Sequence, residues 1–149
     1  MATSQLDTVL KVEIEREQAA ANNFRAAQNQ LLELQQKLTQ LQQYRIDYIE
    51  GIKRDGSAAG LAASRYQQHL SFVGKLDLAC EQQLKFISKA TLLVDQRRRE
   101  WIAKQQRKKA IELLIEKKKV EAMQRQTRIE QQLMDEFSGQ QFLRRRATM

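Results

Sequence analysis

Residues 24–52 run FRAAQNQLLELQQKLTQLQQYRIDYIEGI, and the spacing in this stretch decides the fold. Apolar side chains recur three and four apart, at Phe24, Ala27, Leu31, Leu34, Leu38, Leu41, Tyr48 and Ile52. That is the seven-residue repeat of a helix that buries one narrow stripe against another helix. With Phe24 taken as position a of a heptad, the a column is Leu10, Glu17, Phe24, Leu31, Leu38, Arg45 and Ile52, and the d column Leu6, Glu13, Ala20, Ala27, Leu34, Leu41 and Tyr48. Glu13, Glu17 and Arg45 break the pattern.

A second seven-residue column lies downstream: Tyr66, Val73, Cys80, Ile87, Val94, Trp101, Lys108, Ile115, Ala122 and Ile129. Its companion column, His69, Leu76, Gln83, Ala90 and Arg97, is mixed, so this seam is expected to lean on the flanking Leu70 and Leu84. Between the two patterns fall Gly51, Gly56 and Gly60, around Asp55-Gly56-Ser57. Ser64 follows, with Gln67 three residues on, the arrangement of a helix N-cap and its reciprocal partner. A single helix cannot bury such a stripe, and two helices joined by a short Gly-containing connection fold back on each other most simply.

The predicted fold is therefore all-α, an elongated antiparallel two-helix coiled-coil hairpin forming a single domain over residues 1–149. Helix one is placed at about 4–54, the turn at about 55–63, helix two at about 64–137, and a disordered basic tail at about 138–149. At 1.5 Å per residue the helices would be roughly 75 and 110 Å long, with the last part of helix two projecting.

Composition agrees with a thin seam rather than a thick core: 30% of residues are charged, Pro is absent and Gly numbers five. Ala, Leu, Gln, Glu, Lys and Arg, which lose little entropy in a helix, dominate. No apolar run approaches the ~18 residues of a membrane span. One cysteine excludes an internal disulfide and a thiolate metal cage, and makes a reducing cytoplasm the expected compartment.

Chemistry has little to stand on. His69 is the sole histidine, no glycine-rich phosphate cradle is present, and Cys80 falls in the seam as a small hydrophobe. No catalytic residue, metal ligand or cofactor is expected. The net charge of +8 is concentrated: residues 97–128 hold twelve Lys or Arg against four Glu. Glu112, Glu116 and Glu121 are spaced for intrahelical pairs with these cations. A nucleic-acid footprint is the competing use of the charge, but the stretch holds one aromatic, Trp101, in the seam, and so offers no base-stacking platform. A homo-oligomeric scaffold, with the seam pairing between chains, is the other alternative.

A turn near residue 58 or 59 sets the facing residues. Leu41 comes opposite Leu76, Tyr44 beside Phe72 and Val73, Tyr48 near His69, and Trp101 against Arg16 and Glu17. Tyr44, Phe72 and Ala79 all occupy g positions, which share one side of an antiparallel pair, and they are expected to form an exposed strip near the turn.

Several segments together resemble the FliJ family of the bacterial flagellar type III export apparatus. They are QQKLTQLQQYRIDY with Tyr44 and Tyr48, SRYQQHLSFVGKL, the basic helix from Trp101 through Lys109, and QQLMDEF at Gln131 to Phe137. The resemblance spans nearly the whole chain. It implies a coiled coil similar to that of the rotary-ATPase γ subunit, and three partners: the hexameric export ATPase, the cytoplasmic domain of the transmembrane export gate, and export chaperones. It further implies a protein that is monomeric alone, cytoplasmic, and peripherally associated with the inner membrane at the flagellar base. Carried over, the gate surface comprises Leu41, Tyr44, Tyr48, Phe72, Leu76 and Ala79, and the ATPase-ring surface Leu6, Leu10, Lys108, Lys117 and Lys119. His69 stands where the family pattern leads one to expect an aromatic.

Overall fold

The computed structural model describes residues 2–59 and 63–148, with the side chains of residues 2, 3 and 57–59 left aside. Helix α1 spans Ala2–Ala59 and helix α2 Ala63–Ala147. Among the described residues there is no strand, and the protein is an all-α helical hairpin. Gly60, Leu61 and Ala62, within the predicted turn, lie outside the described residues.

Both helices run further than the sequence pattern suggests. Helix α1 continues through Gly51 and Gly56, because a helical glycine costs only about 1 kcal/mol relative to Ala and no proline enforces a stop. Ser64 lies inside α2, whose first residue is Ala63. At the far end, residues 138–147, read from the sequence as a disordered tail, are helical. Arg144, Arg145 and Arg146 occupy the last turn, where cations meet the negative end of the helix dipole. The Thr148 amide donates to the Arg144 carbonyl at 3.1 Å, and its hydroxyl to the carbonyls of Arg144 and Arg145 at 3.1 and 3.0 Å. These bonds satisfy acceptors that a helix end otherwise leaves open.

The chain divides into two compact units, one of residues 18–103, the other of residues up to Glu17 together with those from Lys104 onward. In the first, α1 and α2 pack antiparallel around Ala21, Ala27, Leu76 and Val94, all buried. Most of the remaining a and d residues, among them Phe24, Leu31, Leu34, Leu38, Leu41, Ile87 and Trp101, are half-buried, as a two-layer seam without a third layer requires, while Tyr66 is exposed. Leu70 and Leu84 do not support this seam. They are about half exposed, because they fall one step outside the a and d columns. Gln83 is buried in their place, and its amide donates to the Leu34 carbonyl at 2.9 Å, so a polar residue sits in the seam with a bond made. Arg45, which breaks the a column, reaches across the pair to Asp77 at 2.6 Å.

In the second unit Ile115 is buried, and Leu6, Leu10, Ile111 and Lys118 are half-buried. Glu13, the polar d residue, is 2% exposed. Its Oε1 meets Arg107 of α2 at 3.1 Å and Arg16 of its own helix at 3.4 Å, while Oε2 has no hydrogen-bond partner.

Candidate functional site

The aromatic set of the first unit follows from helix geometry. Tyr44 and Tyr48 are four apart on α1 and so project one above the other on one face; His69 and Phe72 are three apart on α2 and do the same. The Phe72 ring meets both tyrosines. Its centroid is 4.6 Å from Tyr48 at an angle of 53°, and 6.2 Å from Tyr44 at 77°, an edge-to-face contact. Tyr48 also packs edge-on against His69, centroids 5.5 Å apart, and its hydroxyl bonds to His69 Nδ1. Edge-to-face geometry is what opposed ring quadrupoles favour.

Exposure differs across the set. Tyr44 is 52% exposed, so one face of its ring is held by Phe72 while the rest meets water. Leu41, Tyr48, Phe72 and Ala79 are half-buried, and Leu76 belongs to the core at 7%. Of the six residues assigned to the gate surface, the structure brings Tyr44, Tyr48 and Phe72 into one ring cluster. Leu76 is buried in the seam. His69, whose d position made it a seam residue on sequence grounds, joins the cluster; its spacing to Phe72 carried that information.

The residues assigned to the ATPase-ring surface lie in the second unit and differ among themselves. Leu6, Leu10 and Lys108 are half-buried seam residues, whereas Lys117 and Lys119 are exposed. Arg107, next to Lys108, is the cation that bonds across the helix pair. The expected pairs between Glu112, Glu116 or Glu121 and the surrounding cations do not form. The intrahelical pairs of α2 are Arg97 with Glu100, and Arg98 and Arg99 with Asp95. Among the described residues no ion pair involves a residue beyond Arg107, so neither Lys117 nor Lys119 is held in one there.

Trp101 stacks on Phe24, centroids 5.5 Å apart and planes 13° from parallel. Long side chains on a helix lean toward its N-terminus. In an antiparallel pair the two therefore lean toward each other, and each spans about a turn, which a count of opposing backbone positions does not include.

Among the described residues no group of three or more His, Cys, Asp or Glu could hold a metal, and no helix is long and apolar enough to cross a membrane. The described residues present a half-exposed aromatic cluster in one unit and a basic helix face in the other.

The chain is 28% identical over 111 residues to the flagellar FliJ protein of Escherichia coli (strain K12), covering 74% of this chain and 75% of that protein. It is 27% identical, with the same coverage, to the flagellar FliJ protein of Salmonella typhi. No solved structure matches the chain. The family model described as flagellar FliJ protein matches residues 1–147, and with that span accounted for, the chain belongs to the FliJ family.

Proposed function

We propose that this member of a flagellar export family is an adaptor without enzymatic activity, which binds the export ATPase ring, the cytoplasmic domain of the export gate and export chaperones. The observation that carries the reading is the Tyr44, Tyr48, Phe72 and His69 cluster, with Tyr44 half in water, in a chain whose family match runs from residue 1 to 147. A rigid aromatic anchored on one side and open on the other is the form interface hot spots take. Contact with the gate would hold the protein at the cytoplasmic face of the inner membrane.

The ring contact belongs to the second unit in this reading. The exposed Lys117 and Lys119 supply a positive field that steers association with an acidic surface. A two-helix element has no sixfold symmetry, so it contacts the subunits of a hexamer unequally, and it favours the assembled ring by binding it in preference to separate subunits.

The test is binding of the full-length chain to the purified gate domain. Tyr44→Ala should weaken it by about tenfold or more, with an unchanged circular dichroism spectrum. Equal affinity of the variant and the parent chain would remove the aromatic cluster as the gate contact.

A further inference from the structure

From Lys119 to Thr148 every described side chain of α2 is exposed. The apolar stripe nevertheless continues through Ala122, Ile129, Leu133 and Phe137, with the last three 57–60% exposed. A shallow groove runs along it between Ala122, Arg125, Gln126, Ile129, Glu130 and Leu133. A contiguous stripe of this kind marks a contact surface.

The order of charges along the stripe indicates what covers it. Arg125 and Arg128 form a basic block, Glu130, Asp135 and Glu136 an acidic one, and Arg144, Arg145 and Arg146 a second basic one. Among the described residues none of these side chains takes part in an ion pair. A uniformly acidic or uniformly basic partner would meet at least one block of its own sign. A parallel copy in register would meet its own sign throughout. An antiparallel copy centred on Gln131 sets the first basic block against the acidic one, and the second, which would come opposite Lys117 and Lys118, lies beyond the paired segment.

We infer that residues 122–140 of α2 bind the same segment of a second copy, antiparallel, about a twofold axis near Gln131. This inference stands apart from the export reading above. The helical period puts Arg125, Arg128, Asp135 and Glu136 on one flank of the stripe and Met123, Glu130 and Phe137 on the other. In an antiparallel pair like flanks meet. Ile129 packs against Leu133 of the partner subunit, Arg128 faces Asp135 of the partner subunit, Arg125 faces Glu136 of the partner subunit, and Met123 meets Phe137 of the partner subunit. The twofold axis repeats each contact. Glu130 alone faces its own symmetry mate, a like-charge contact at the centre. The paired segment is only about 28 Å long, short of the ~1,200 Å² of a standard interface, so the chain is monomeric when dilute and pairs when concentrated.

Sedimentation equilibrium of the full-length chain from ~10 μM to ~1 mM, a range in which a weak interface populates, tests this. A reversible dimer is expected. Arg128→Asp alone and Asp135→Arg alone should each weaken it about tenfold or more. Mixing the two single variants should restore it, because each then supplies the charge the other lacks. Glu130→Gln should tighten it by relieving the central repulsion. All three positions are exposed, and circular dichroism should report unchanged helix. A monomer at every concentration, or a dimer indifferent to Arg128→Asp and not recovered in the mixture, overturns the inference and leaves the stripe to a different protein.

Discussion

The Trp101 indole lies flat on the Phe24 ring, with centroids 5.5 Å apart, although the two residues are not opposite one another by backbone register. Trp101 is the largest seam residue of α2, and its partner Phe24 stands among the small side chains Ala20, Ala21 and Ala27 of α1.

Trp101→Ala and Phe24→Ala should each destabilise the hairpin by about 2–4 kcal/mol, somewhat under the full cost of a buried aromatic because both rings are half-buried. The double variant should cost less than the two together, by the ~0.5–1.5 kcal/mol that stacked rings contribute beyond area. Urea melts of the four proteins measure this. Strict additivity would mean that the stack contributes no coupling.

Glu13 is buried with Oε2 unpartnered, so the carboxylate gives up hydration that it does not fully recover. Glu13→Leu, which completes the apolar d column, should therefore raise stability, by about 1–4 kcal/mol on the scale of buried ion pairs replaced by apolar residues. Arg107→Ala should lower it by about 1–2 kcal/mol, the more modest figure because the arginine is 63% exposed and screened by solvent. A lower melting temperature for Glu13→Leu would show that the ion pair is a net stabiliser.

Within the aromatic cluster the three rings should separate on stability. Tyr44→Ala should change it by less than about 1 kcal/mol, as an exposed ring resting on one neighbour. Phe72→Ala, which removes the ring between both tyrosines, should cost about 2–3 kcal/mol. Tyr48→Phe should cost about 0.5–1.5 kcal/mol, the net worth of the hydrogen bond to His69. If Tyr44→Ala melts as early as Phe72→Ala, Tyr44 is packing rather than presenting a surface.

Gly74 and Gly139 sit inside α2, and a methyl group added at either would meet nothing within 4 Å. Gly74→Ala and Gly139→Ala should each stabilise the helix, by up to about 1 kcal/mol. Thermal unfolding followed at 222 nm reports this for Gly74, and hydrogen exchange of residues 136–143 reports it locally for Gly139. Destabilisation by Gly74→Ala would mean that the position is more tightly packed than its open surroundings imply.

Much of the candidate site was legible residue by residue. The heptad columns put Tyr44 and Phe72 on one edge and Tyr48 beside His69, and the rings meet there. Periodicity fixes which face of a helix a side chain occupies, and a turn position fixes what lies across. It does not give side-chain reach, which is why the stack of Trp101 on Phe24 could not be read from it. Nor does it distinguish a half-buried edge from an exposed one: Phe72 and Ala79, on the same edge as Tyr44, are half covered.

Sequence alone determined the helical state, the seam and the antiparallel pairing, because a seven-residue repeat leaves one stripe to bury and no proline interrupts it. Only the tertiary structure decided which polar seam residues find partners. Gln83 bonds a carbonyl of the facing helix and Arg45 reaches Asp77, whereas Glu13 is buried with one oxygen unsatisfied. Tertiary structure also decided that α2 loses its cover after Lys118 while its apolar stripe goes on. Both depend on distances across the helix pair, and a one-dimensional period holds no measure of them.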